Sequence, residues 1–131
     1  MQKIAEKYVR MWPRRLLQIE EAEDSLRSEL SRPGIYILYR DSTPYYVGKA
    51  DNLYRRLCDH SDIDTMYGNF WNMFCAFVVG ESEFRDQLEA ILIAAMPTAN
   101  RAHPKHFKRI HLSKALKRIY YEKYEAPKAN S

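Results

Sequence analysis

Residues 34–60 read GIYILYRDSTPYYVGKADNLYRRLCDH, and this stretch decides the fold. Gly34 to Tyr39 is an apolar run of β-branched and aromatic residues, the composition of a buried strand. Arg40-Asp41-Ser42-Thr43-Pro44 is turn chemistry, and Tyr45-Tyr46-Val47-Gly48 reads as a second strand. Asp51 then offers an N-cap, and Leu53, Arg56, Leu57 and His60 follow at helical spacing. A hairpin therefore feeds a helix, and titratable side chains collect at their junction.

Outward from this stretch, Phe70 to Val79 is a third strand expectation, with Trp71, Met73, Cys75 and Phe77 on one face and Phe70, Asn72, Phe74, Ala76 and Val78 on the other. A helix is expected over residues 83–96, burying Phe84, Leu88, Ile91, Leu92, Ala95 and Met96. Glu89 borders that stripe, where a carboxylate is partly desolvated unless a cation or donor meets it. Towards the N-terminus, Ile4, Tyr8 and Met11 and then Leu16, Ile19, Leu26 and Leu30 read as two helical stripes broken at Trp12-Pro13. Glu20, Glu21, Glu23 and Asp24 lie mostly off these stripes and read as a solvated face. A last helix, from about Ile110 to Tyr124, is expected to turn Leu112, Ala115, Leu116 and Ile119 inward.

The chain has 131 residues, enough for a core without staples, and 29% of them are charged, as is ordinary for a globular domain. Its two cysteines, Cys58 and Cys75, suggest neither a disulfide framework nor a clustered zinc site. No segment has the length of a membrane span or the apolar core of a leader, so a cytoplasmic protein with no membrane partner is expected. The net charge of +4 is unevenly spread: residues 34–100 carry −4 and residues 101–131 carry +7. A basic tail on an acidic core favours a polyanionic partner, with nucleic acid first among them.

The residue order resembles the GIY-YIG nuclease family. Gly34-Ile35-Tyr36 is followed by Tyr46-Val47-Gly48, with valine in place of the middle isoleucine. Lys49, Leu53-x-x-Arg56-Leu57, His60, Glu89 and Pro97-x-x-Asn100 come next, in the family's order. The gap from Glu89 to Asn100 is about one residue shorter than usual, and Ala99 stands where an aromatic residue or glycine is common. The resemblance implies an α/β (α+β) domain with a three-stranded antiparallel sheet flanked by helices. Residues 1–32 would be an N-terminal helical extension, 33–100 the nuclease core, and 101–131 a basic segment and helix packed on it.

The resemblance also implies a metal-dependent DNA endonuclease using one divalent cation, Mg²⁺ first and Mn²⁺ as the alternative. Glu89 matches the metal-binding carboxylate, Tyr36 and Tyr46 the signature tyrosines, and Arg56 the arginine that steadies phosphate charge. His60 matches a histidine of the restriction-enzyme branch, Lys49 follows the second tripeptide, and Asn100 matches the asparagine that closes the site.

The residue types suit that chemistry in their own right. Phosphodiester hydrolysis gathers negative charge on the phosphate oxygens, which Lys49, Arg56 and a metal can meet. A lone carboxylate with waters suits Mg²⁺. A phenol, with an ordinary pKa near ~10, needs cations to act as a base, whereas histidine needs less tuning. Tyr36, Tyr46 and His60 all stand as proton acceptors at this point. Asp86 and Glu83 are rivals of Glu89, but both lie nearer the helix start, where acids favour the dipole. Arg55, Lys105, Lys108, Arg109, Lys114 and Lys117 are the expected backbone contacts to DNA, with RNA as a second substrate. His103-x-x-His106 has no cysteine or acid beside it and reads as phosphate contact in preference to zinc. A homodimer or protein partner would dock on the N-terminal helices. The alternative function is a catalytically weak nucleic-acid-binding module of the same fold.

Overall fold

The computed structural model describes residues 4–62, 70–96 and 111–125. Four strands form one antiparallel sheet: β1 (Lys7–Pro13), β2 (Gly34–Arg40), β3 (Thr43–Ala50) and β4 (Met73–Val78). Their order is β1-β4-β2-β3, so β2 is central and carries the first tripeptide. The helices are α1 (Glu23–Leu30), α2 (Leu53–Ser61), α3 (Ser82–Ala95) and α4 (Lys114–Tyr120). No described helix is long and apolar enough to cross a membrane.

The alternation of β2 gives the sheet two covered faces. Tyr36 and Leu38 join Phe74, Ala76 and Val78 beneath α1 and α2, with Leu26, Leu30, Leu53 and Leu57 completing the main core. Ile35 and Ile37 point the other way, with Val47 and Cys75, against Leu88, Leu92, Ile93 and Met96 of and after α3. The hairpin turns at Asp41, whose φ is 57°. Asn72 accepts from the Asp41 N–H at 2.7 Å and donates to its carboxylate at 3.0 Å, which ties the turn to the start of β4.

The sheet has four strands where three were expected, because residues 7–13 are a strand and not the first turns of a helix. The cause is a bulge. Val9 pairs with Ala76 and Trp12 with Phe74, so two steps on the partner strand face three on β1. Met11 takes up the extra residue at a φ of 52°, and its N–H donates to the Cys75 Sγ at 3.3 Å. Val9 and Trp12 thus share the main core at a spacing of three, which imitates helical periodicity. The expected N-terminal helices are reduced to two short 3₁₀ turns, Arg14–Gln18 and Glu20–Ala22, and α1. A partner-docking face made of N-terminal helices loses its first helix accordingly.

Smaller corrections follow the same logic. Asn52, not Asp51, caps α2, its side chain accepting from the Arg55 N–H at 3.0 Å. Ile93 replaces Ile91 in the stripe that α3 buries, and Ile91 is exposed. Trp71 lies before β4 begins and so escapes strand alternation; it packs edge-on against Phe74 in the main core. Leu112, Leu116 and Ile119 on and before α4 are exposed and not inward.

Candidate active site

Two glycines open the space in which the site is built. Tyr36 of β2 lies directly opposite Gly48 of β3. A Cβ at Gly48 would run into the Tyr36 ring and hydroxyl, so only glycine lets the ring cross the strand. At Gly34, an added Cβ would meet the Phe77 carbonyl and Leu53. The tripeptides are therefore steric requirements of close strand and helix packing, before any chemistry enters.

With its path cleared, the fully buried Tyr36 ring reaches α2. Its hydroxyl lies 2.7 Å from Nε2 of His60, which is in the last turn of that helix and also buried. Tyr46 completes a cluster of three rings, its centroid 6.2 Å from that of Tyr36 and 5.6 Å from that of His60. Trp71 donates its indole N–H to the His60 carbonyl at 3.1 Å and fixes the helix end that carries the imidazole.

The electrostatics divide the roles. Burial pushes the Tyr36 phenol well above its ordinary value; Tyr46 and Glu89 add to this, and the Arg56 guanidinium beside the hydroxyl opposes it. Burial, with the charge of Arg56, pushes His60 down to about 4. The pair is thus a neutral phenol against a neutral imidazole at pH 7. In the Nδ1–H tautomer of His60 the phenolic O–H donates and Nε2 accepts.

Glu89 comes from α3 on the other side of β3. Its carboxylate accepts from the Lys49 backbone N–H, and burial pushes it up against the opposing pull of the Lys49 ammonium. The Lys49 side chain reaches Asp86, Nζ to Oδ1 at 2.6 Å. An open cleft on the α2 side is lined by Lys49, Asp51, Asn52, Arg55, Arg56 and Asp59, three cations against two carboxylates. It is an entry of the right sign for a phosphodiester.

The structure therefore gathers Tyr36, Tyr46, Lys49, Arg56, His60 and Glu89 at one junction of β2, β3, α2 and α3. Arg55 lies exposed on the cleft beside them. Lys114 and Lys117 are exposed on α4. Asn100, Lys105, Lys108 and Arg109, like His103 and His106, lie outside the described residues. Tyr39 packs against the α3-side core and Tyr45 stacks on Phe70, as befits tyrosines outside the cluster. Asp86 is the residue that sequence reasoning set aside as a dipole partner; its spacing of three from Glu89 already put the two on one helix face.

Among the described residues, no three His, Cys, Asp or Glu side chains are grouped to hold a metal. A single half-buried carboxylate with oxygen donors nonetheless fits Mg²⁺, which keeps several of its waters and takes the rest of its ligands from substrate phosphate. A softer metal needing several nitrogen or sulfur ligands does not fit.

No protein-family model matches the sequence, and no curated protein matches it. Among solved structures the chain is similar to the GIY-YIG N-terminal endonuclease domain of UvrC from Thermotoga maritima bound to its catalytic divalent cation, magnesium. That match has 26% identity and a TM-score of 0.49, over 61% of this chain and 94% of that one. A point mutant of the same domain, bound to its catalytic divalent cation, matches at the same identity and TM-score over 70% of this chain and 99% of that one. Within this chain, the two tripeptides pair across β2 and β3, the tyrosine of the first lies over the glycine of the second, and helices cover both faces of the sheet, which is the α+β arrangement that the sequence resemblance to the GIY-YIG family implies.

Proposed function

We propose that the chain is a metal-dependent endonuclease that hydrolyses phosphodiester bonds of DNA. The observation that carries the reading is the Tyr36–His60 hydrogen bond with Arg56 beside it and Glu89 across the same junction. Supporting it are the order of the motif residues in the sequence and the cationic cleft leading to them.

Arg56 and Lys49 meet the charge that grows on the phosphate oxygens. Tyr36 is the proton acceptor for the attacking water. A phenol raised by burial keeps its own proton, so it accepts one only as it passes that proton on. His60 Nε2, neutral and 2.7 Å away, is the receiver. As the water proton reaches the Tyr36 oxygen, the phenolic proton moves to His60, and the hydroxide oxygen bonds to phosphorus while the ester oxygen leaves. Tyr46 closes the third side of the ring cluster and excludes solvent from the relay. Glu89 would hold the divalent cation, which when bound supplies positive charge to the phosphate and the leaving oxygen.

The exposed cations of α4, Lys114 and Lys117, together with Lys105, Lys108 and Arg109, grip the DNA backbone without reading sequence. The protein works in the cytoplasm, where DNA and Mg²⁺ are both present.

The test is plasmid nicking in Mg²⁺ by the parent, Glu89→Ala and Arg56→Ala. Nicking by the parent alone is the expected result. Equal nicking by parent and Glu89→Ala points to a contaminant and overturns the reading. Tight DNA binding by the parent with no cleavage in Mg²⁺ or Mn²⁺ would favour a binding module of the same fold.

A further inference from the structure

Lys49 is held at two points by one face of α3. Its backbone N–H donates to the Glu89 carboxylate, and its ammonium lies 2.6 Å from Asp86, one turn earlier on that helix. A second ion pair, Arg85 with Asp51 at 3.7 Å, lines a neighbouring cleft together with Lys49 and Asp86. The arrangement leaves Lys49 a choice of carboxylates, since its ammonium feels both Asp86 and Glu89. As a stabilising contact, an exposed pair such as Lys49–Asp86 contributes little. Its consequence lies in what the ammonium would do without it.

We infer that Asp86 is a positioning residue for the metal site: it tethers the Lys49 ammonium, so that Lys49 does not occupy Glu89 as an internal counter-ion in competition with the divalent cation. Two effects act in the same direction. Asp86 adds a negative charge near the cation's position, and it draws away the one described lysine that Glu89 faces. With Asp86 neutralised, Lys49 turns to the remaining carboxylate, and a divalent cation must displace it. Asp86 needs no direct contact with the metal for this. The inference rests on the reading of Glu89 as the metal-binding carboxylate.

The experiment is Mn²⁺ binding to the full chain without DNA, read as free Mn²⁺ by electron paramagnetic resonance. It compares the parent, Glu89→Ala, Asp86→Asn, Lys49→Met and the double variant Asp86→Asn/Lys49→Met. Asp86→Asn is expected to weaken binding about tenfold, the effect of one unit charge several ångströms away near a protein surface. The double variant is expected to bind more tightly than Asp86→Asn alone, because the competitor is gone. The gain on removing Lys49 is expected to be larger in the Asp86→Asn background than in the parent, whereas a merely structural role for Asp86 would give the same gain in both. Unchanged binding in Asp86→Asn, with Glu89→Ala clearly weakened, overturns the tether and leaves the metal assignment standing. A double variant as weak as Asp86→Asn also overturns the tether. Equal binding by parent and Glu89→Ala instead removes the metal assignment, and the tether falls with it.

Discussion

The Tyr36 hydroxyl and Nε2 of His60 lie 2.7 Å apart in the buried heart of the domain, one on the central strand and the other on the helix that follows the hairpin. Both are neutral at pH 7, because burial raises the phenol and lowers the imidazole. Removing the hydroxyl therefore removes the relay together with the acceptor beside Arg56. Tyr36→Phe should lower the cleavage rate by about 10²–10⁴-fold, the usual worth of a positioned acid–base group. It should cost only about 1–2 kcal/mol of stability, for the Nε2 left without its donor. Cleavage kinetics and urea unfolding on the same variant check both halves.

Acid should unfold the protein partly through His60. Its folded value of about 4 lies below the ordinary histidine value of 6.5, so between those values the unfolded chain binds more protons. Stability from this group is complete above pH 6.5 and is lost as pH falls towards 4, by at most about 3 kcal/mol. His60→Gln lacks this titration. Denaturant unfolding at pH 7 and pH 4.5 should show the parent losing roughly 2 kcal/mol more than the variant; equal losses would contradict it.

Gly48 should tolerate no side chain while Tyr36 is present. The added methyl of Gly48→Ala meets the Tyr36 ring, and overpacking of this kind costs about 1–3 kcal/mol or more. In a Tyr36→Ala background the same change should cost much less, which a double-mutant cycle measures.

The hairpin, α2, β4 and α3 were legible because each announces itself in a local pattern. Gly34 to Tyr39 is a continuous apolar run, Asn52 onwards has helical spacing, and the turn between the strands is polar. The cluster was legible through the family resemblance that its motif residues carry, although their contacts span up to 24 positions in sequence for Tyr36 and His60. β1 was hidden for a physical reason. The stripe that reads as helical, Ile4, Tyr8 and Met11, is not the buried one: Ile4 and Tyr8 are exposed, and the bulge at Met11 puts Val9 and Trp12 on the main core face instead. Asp86 was misread because an acid early in a helix has a sufficient local explanation in the dipole; its Lys49 contact is long-range and has no local signature.

The grip assigned to the basic tail has its own signature in salt dependence. Each phosphate contact removed should reduce the slope of log affinity against log salt by about 0.9 for duplex DNA. Neutralising Lys114 and Lys117 together should reduce it by nearly two, and adding Lys105, Lys108 and Arg109 should take it further. Binding titrations from low to moderate salt decide this. An unchanged slope would place the DNA elsewhere.

The central claim is that Glu89, with Tyr36, His60 and Arg56 around it, forms a site for metal-dependent hydrolysis. The most direct test is the single-turnover cleavage rate of one defined DNA duplex at saturating Mg²⁺, comparing the parent with the near-isosteric Glu89→Gln. The account predicts that the parent cleaves and that Glu89→Gln is slower by about 10³-fold or more at similar DNA affinity and thermal midpoint, a loss of several kcal/mol of transition-state charge stabilisation. Equal rates for the two proteins would contradict it.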